Sequence, residues 1–302
     1  MDFNEIKKYL EGHVVDCVLD TDTFNEIDDQ FAIGYLLNNR DKLNVKALYA
    51  APFLNHTLSS SAEEGMIKSY NEIHKLLDFM GYSELKDVVY KGSTNFMTDE
   101  NTPIISDAAK HLASLAMNYT PENPLFVIAI GAITNVASAI LLEPRIADKV
   151  VLIWLGGTAY HVGSTVEFNM IQDIGAARVM FKNYKNIVML PCEGVVSEFS
   201  TTIHETAYWL KGKNSLCDYL CHILEEVTSK ERATSRVIWD VCAVAWLLNK
   251  DEKFMLDEIV SLRLPGYNGR YEEAYLDKKI CYVKKIFRDE LYTELFKKLL
   301  TN

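Results

Sequence analysis

Six short runs of apolar, largely β-branched residues recur along the first two thirds of the chain, with little polar alternation inside them. They occupy positions 14–19, 45–50, 88–90, 125–130, 150–155 and 187–190. A strand with one wet face alternates with period two, whereas a strand covered on both faces reads as a near-continuous apolar run. Between these runs, positions 28–38, 60–80, 105–117, 135–142 and 175–181 carry apolar residues at helical spacing. Strands alternating with helices imply an α/β fold: a mostly parallel sheet flanked by helices, of the open Rossmann-like kind. Past Pro191 the chain reads as mainly helical to about Asn249, and strands are expected near 259–262 and 279–283. No Pro/Gly/Ser-rich linker, repeat or low-complexity tract interrupts the 302 residues. The expectation is therefore one domain over 1–302, with an α/β core at about 14–191 and a mainly helical part and mixed tail over 192–302.

Ligands of open parallel sheets bind beyond the carboxyl ends of the strands, so the residues after each apolar run are the ones to inspect. The first run leads into Asp20, Asp22, Glu26, Asp28 and Asp29, five acids within ten residues. Asp20 and Asp22 are two apart at a strand end and share a face. Asp28 and Asp29 stand where the first internal helix begins, and capping or the helix dipole accounts for one or two such acids. It does not account for five, because converging carboxylates repel unless a proton or cation neutralises them. A hard cation with oxygen ligands, calcium or magnesium, is the natural partner of such a cluster. Later strand ends contribute Gly131 to Asn135, Gly156-Gly157 followed by Glu167-Phe168-Asn169, and Trp239-Asp240 before an apolar stretch at 241–248.

Charge narrows the partners. Thirty-one Lys and Arg against 42 Asp and Glu leave a formal charge of −11. Such a surface offers no basic field for nucleic acid or an anionic membrane, and it suits a neutral small molecule beside a cation. The six cysteines form no CxxC pair and read as free thiols of a reducing compartment. The opening MDFNEIKKYLEGH is charged and amphipathic, and no stretch approaches the ~20 apolar residues of a membrane span. A cytoplasmic protein is expected.

In combination these blocks resemble the inosine–uridine-preferring nucleoside hydrolase family, from Val14 to near the C-terminus. The blocks run in order: Asp20-Thr21-Asp22 with Asp28-Asp29, then Asn55, Thr134-Asn135, Gly156-Gly157, Glu167-Phe168-Asn169 and Asp240. The resemblance implies calcium-dependent hydrolysis of the bond between ribose and base, in nucleoside catabolism and purine salvage. It implies that Asp22, Asp29, Asp240 and the carbonyl of Thr134 hold the calcium ion, and that Asp22 also takes the proton of the attacking water. By the same resemblance Asp28, Glu167 and Asn169 bind the ribose hydroxyls and Asn55 helps place the water. A homo-oligomer, dimer or tetramer, is implied as well. The chemistry fits these residue types, since departure of the base builds positive charge on the ribose and carboxylates stabilise it.

Three features depart from the family pattern. The loop between Asp22 and Asp28 is two residues longer and holds Asn25, a further candidate for the sugar, and Glu26. The loop 160–165 lacks the Asn that grips a 5′-hydroxyl in many relatives. Trp239 replaces the common His before the last Asp, as in the purine-preferring branch, where the indole stacks on the base. His56 and His161 are then the candidate acids for the leaving base. Two other readings compete. Asp20-Thr21-Asp22-Thr23 also fits the motif of haloacid-dehalogenase-like phosphatases, with Asp20 as nucleophile, although that family's late Gly-Asp-x-x-x-Asp block is missing. A nucleoside-binding protein without turnover is the second.

Overall fold

A computed structural model describes residues 1–228 and 233–301, apart from the side chains of Leu276 and Asp277. Its main sheet has eight strands. They are β1 (Val15–Thr21), β2 (Leu43–Ala50), β3 (Val89–Lys91), β4 (Leu125–Ala129), β5 (Val150–Leu155), β6 (Asn186–Leu190), β9 (Met255–Pro265) and β10 (Tyr271–Ile286). The intervening β7 (Ser200–Thr201) and β8 (Arg236–Val237) pair separately. The strand order is β3-β2-β1-β4-β5-β6-β10-β9, parallel throughout except for β9, which runs antiparallel to β10.

The unalternated strands have the cause expected of them. In β4, Phe126 and Ile128 pack into one core, while Leu125, Val127 and Ala129 pack into the other on the opposite face. All five are fully buried. Burying each of the larger side chains contributes about 1.5–3 kcal/mol, so a polar residue at any of them would destabilise the whole centre of the sheet. The order reverses direction between β1 and β4, the switch point where a crevice opens above the strand ends.

The tail differs from expectation in length and in place. The strands expected at 259–262 and 279–283 are the middles of an 11-residue and a 16-residue strand. They extend the main sheet, because Cys281 and Tyr282 of β10 pair with Val188 and Met189 of β6. Polar residues hide β9 from a search for apolar runs, since an edge strand has one side wet. Two helices were also not read from the sequence, Phe3–Gly12 and Arg288–Leu299. The first carries a capping box that was legible in principle: Asp2 Oδ1 accepts from the N–H of Glu5 at 2.9 Å, and Glu5 Oε2 accepts from the N–H of Asp2 at 2.8 Å.

Candidate active site

Beyond the ends of β1, β4, β5 and β6 lies a cavity of 210 Å3. Asp22, Asn25, Asp28, Asp29, Glu167, Asn169, Trp239 and Asp240, all singled out from the sequence, line it together. Their convergence has local causes. The chain leaves β1 at Thr21, and Phe24 adopts φ 103°, a left-handed conformation that costs a non-glycine residue energy. That turn returns the backbone to the start of the helix Asp28–Leu37, whose first turn carries Asp28 and Asp29. Asp240 is the N-cap of the helix Val241–Trp246. Two helix N-termini thus point carboxylates at one spot, where their dipoles favour negative charge.

The carboxyl oxygens of Asp28, Asp29 and Asp240 lie within 4.8 Å of one another, all buried. Asp29 also accepts from the Thr21 hydroxyl, and its carboxyl stands beside that of Asp240. Carboxyls stay so close only when a proton or a cation neutralises them. Burial, then repulsion from the neighbouring acids, holds Asp22, Asp28, Asp29 and Asp240 far above the usual carboxylate range. Among the described residues, seven carboxylates line the cavity and no Lys, Arg or His does. Asp22 Oδ2 is buried without any hydrogen-bond partner. An orphaned buried oxygen beside three clustered carboxyls fits a hard divalent cation, which takes six to eight oxygen ligands when it is calcium. The site could hold a metal ion on Asp28, Asp29 and Asp240, with Asp22 adjoining.

Glu167 is fixed by its surroundings. Its carboxylate accepts from the N–H groups of Gly157 at 2.6 Å, Asn169 at 2.9 Å and Met170 at 3.1 Å. Gly157 has φ 75°, which suits glycine, and this turn aims its N–H at the carboxylate. Burial still raises the Glu167 pKa. Asn169 Nδ2 donates to the carbonyls of Ile130 at 3.0 Å and Leu155 at 3.1 Å, which leaves its Oδ1 for a ligand. Gly131 makes room for Asp22, because a Cβ there would lie 2.6 Å from Asp22 Oδ1.

Two of the expected residues stand apart. Asn55 does not line the cavity; its Nδ2 donates at 3.1 Å to Oδ1 of Asn25, which does. Thr134 is the first residue of the helix Thr134–Leu142 and is not among the lining residues either. Its hydroxyl donates to Asp173 Oδ2 at 2.7 Å. Ile130, at the end of the same apolar run, lines the cavity in its place. The strand ends one residue earlier than its apolar character suggests, so the turn presents its first residue and not the Thr four positions on. His56 and His161 are exposed and are not among the residues lining the cavity. Asp20 is sealed behind the cavity, with Oδ1 accepting from Asn135 Nδ2 at 2.7 Å. The sequence reading missed Cys192 and Glu193, which also line it. They directly follow Pro191 at the end of β6, so inspection of that strand end would have found them.

Comparison with known proteins places these features in a family. Residues 17–283 match the model of the inosine-uridine preferring nucleoside hydrolases. The inosine-uridine preferring nucleoside hydrolase of Leishmania major is 29% identical over 148 residues, 47% of this chain and 46% of that protein. The one from Crithidia fasciculata is 28% identical over 184 residues, 56% of this chain and 54% of that protein. The chain thus spans about half the length of the curated relatives it matches. Among solved structures, a plant nucleoside hydrolase superposes with a TM-score of 0.76 at 18% identity, covering 96% of this chain and 100% of that one. An inosine-guanosine nucleoside hydrolase superposes with a TM-score of 0.73 at 16% identity, covering 95% and 98%. At such identity these two establish the fold alone.

Proposed function

The chain belongs to the inosine-uridine preferring nucleoside hydrolase family, and from that premise we propose that it hydrolyses ribonucleosides to ribose and free base with calcium, preferring purines. The observation that carries this reading is the convergence of Asp28, Asp29 and Asp240 within 4.8 Å in a cavity whose charged lining residues, among those described, are all acidic and whose wall includes Trp239. Asp29 and Asp240, with Asp22 adjoining, would hold the cation, Asp28 of the same cluster would face both it and the sugar, and the carbonyl of Ile130 would take the place given to that of Thr134. A bound calcium ion supplies Lewis acidity and a fixed positive charge among these carboxylates.

The chain's own groups do the rest. Asp22 accepts the proton of the attacking water, its spare Oδ2 being free to do so. Asp28, Glu167, Asn169 and Asn25 bind the ribose hydroxyls, and their charge stabilises the oxocarbenium character that grows as the base departs. Asn55 orients Asn25. Trp239 is partly buried in the cavity wall and stacks on the base, where a purine offers the larger face. No residue in that wall is a His, so the leaving base is activated by stacking and by groups at the mouth. Asp20 has no access to substrate, which speaks against a phosphatase using it as nucleophile.

The same premise carries a homo-oligomer, dimer or tetramer, acting in cytoplasmic purine salvage. No helix among the described residues is long and apolar enough to cross a membrane. The test is ribose release from inosine, guanosine, adenosine, uridine and cytidine, with calcium and with chelator. Calcium-dependent release fastest from purine nucleosides is expected. Nucleoside binding with no release would reduce the protein to a binder, and release unaffected by chelation would remove the metal from the mechanism.

A further inference from the structure

The chain passes from β5 to Glu167 through a loop, and the hairpin of β9 and β10 rests against that loop. At the hairpin turn, the C=O of Gly269 accepts from the N–H of Thr165 at 2.9 Å. Further along β10, the Tyr282 hydroxyl accepts from the N–H of Tyr160 at 3.0 Å. The contact made by Tyr271 is of another kind. Its hydroxyl accepts from the N–H of Thr158 at 3.1 Å and donates to the C=O of the same residue at 2.9 Å. A hydroxyl can do both at once, being donor and acceptor. Among the described residues neither Thr158 group meets another partner. Thr158 is 2% exposed, so water does not reach it to take the hydroxyl's place. Burial raises the pKa of the Tyr271 phenol, and the hydroxyl keeps the proton that it donates. Its ring packs edge-on against Tyr160, with centroids 4.9 Å apart.

We propose that Tyr271 is a positioning residue for Glu167, a clamp through which the C-terminal hairpin sets the carboxylate assigned to ribose. The inference rests on the hydrolase reading above. Gly157 directly precedes the clamped Thr158, and its N–H makes the shortest of the three backbone bonds to Glu167, at 2.6 Å. A Cβ at Gly157 would lie 2.5 Å from Tyr271 Oη, so the hydroxyl is seated directly on this turn. The C=O of Gly157 accepts from the N–H of Cys192 at 2.9 Å, which ties the turn to the end of β6. At φ 75° and with no side chain, Gly157 is the point about which the turn can pivot. Without the Tyr271 hydroxyl, Thr158 would hold a buried N–H and C=O unpaired, costly enough that their peptides turn in search of partners. One of those peptides is shared with Gly157, so Gly157 relaxes with it and its N–H leaves the line to Glu167. A displacement of ~1 Å in a group that places a substrate is enough to cost ~10²-fold in rate.

Removing the hydroxyl alone tests this. Tyr271→Phe is compared with Tyr282→Phe, which takes a hydroxyl from the same hairpin but frees only the N–H of Tyr160. Hydrogen exchange of the Gly157 amide, followed by NMR, should quicken at least about tenfold in Tyr271→Phe and stay within about twofold in Tyr282→Phe. In ribose release from inosine, kcat/KM should fall at least about tenfold in Tyr271→Phe and change less than about twofold in Tyr282→Phe. In Glu167→Ala there is no carboxylate to place, so adding Tyr271→Phe should cost less than about twofold more, a non-additivity that a merely structural tyrosine does not show. Unchanged exchange at Gly157, equal losses in the two Phe variants, or a full loss in the Glu167→Ala background would overturn the clamp. Exchange is read without turnover, which separates this inference from the one beneath it. Quickened exchange at Gly157 in Tyr271→Phe, with no ribose released even by the wild type, would overturn the hydrolase reading and keep the clamp on Glu167. Ribose release indifferent to Tyr271→Phe would do the opposite. Both Phe variants keep their rings, and melting curves confirm that they fold.

Discussion

The two ends of the same parallel strands carry two cavities, and the larger one is not the candidate site. At the amino ends, beside Val15 and Leu43, a cavity of 410 Å3 is lined by Lys7, Lys42, Lys250 and His13 as well as Glu11, Asp251 and Glu252. Its charges are mixed and mostly exposed, and Lys7 is neutralised by Asp257, which also accepts from Trp246 Nε1 at 3.0 Å. At the carboxyl ends, a cavity half that size gathers seven carboxylates with no cationic wall residue among the described residues. Volume measures only how loosely elements meet. A concentration of like charge held in a buried place has to be stabilised by something outside the chain, and that requirement identifies a site.

The sharpest way to break the contrast is to remove one charge from each end. Asp22→Asn keeps the shape of the acidic cavity and removes its proton acceptor, so ribose release should fall by at least ~10²-fold. Lys42→Ala in the opposite cavity should leave turnover within about twofold, as surface substitutions remote from a site usually do. Near-normal release by Asp22→Asn would assign the water to another group.

Trp239 gives the next largest effect. Stacking of a base on an aromatic ring is worth ~1–3 kcal/mol, so Trp239→Ala should depress inosine hydrolysis roughly tenfold or more and uridine less. An unchanged inosine-to-uridine ratio with a collapsed melting temperature would make the indole a packing residue, since a lost core Trp costs ~3–5 kcal/mol.

The pH dependence of stability separates the two ends without any assay of turnover. Burial raises Asp20 to about 7 and carries Asp22, Asp28, Asp29 and Asp240 upward too. A carboxyl whose folded-state pKa is raised stabilises the fold fully below its unfolded value, and that contribution is lost as pH rises through the folded value. The metal-free chain should therefore lose melting temperature as pH rises from about 4 to about 7 and beyond. Glu64 and Glu143 shift the other way, to about 2 beside Lys68 and Arg145, so their contribution is lost only in stronger acid. Calcium at a hundred times its Kd should restore about 2.7 kcal/mol at neutral pH, a rise of several degrees for a chain of this length. Asp29→Asn should weaken that rise and Lys42→Ala should not. A melting curve indifferent to both pH and calcium would show that the acids are neutralised by some other means.

Much of the site was legible because its residues fall at strand ends and helix starts, positions that periodicity alone locates. Asp22, Asp28 and Asp29 follow one apolar run within a few residues, and Asp240 opens an apolar helix. The errors have one origin, which is direction. Thr134 and Ile130 lie four residues apart in one turn, and nothing in their order says which faces the crevice. Asn55 reads as a direct contact, yet its amide stops at Asn25. Asp20 and Asp22 read as sharing a strand face, but the strand ends at Thr21, so Asp20 is sealed behind the cavity and Asp22 lines it.

By itself, then, the amino-acid order determined the alternation of strands and helices, the doubly covered sheet and the acid-rich strand end. Each of those depends on residues close in sequence and on the period of the backbone. Tertiary structure decided which end of the sheet extends into the tail, that Glu26 meets Arg236 across 210 positions, and that carboxyls from two helix starts stand within 4.8 Å. Such contacts depend on how twisted strands and packed helices orient side chains by a few ångströms. That orientation is a property of the whole packed core, which no local pattern contains.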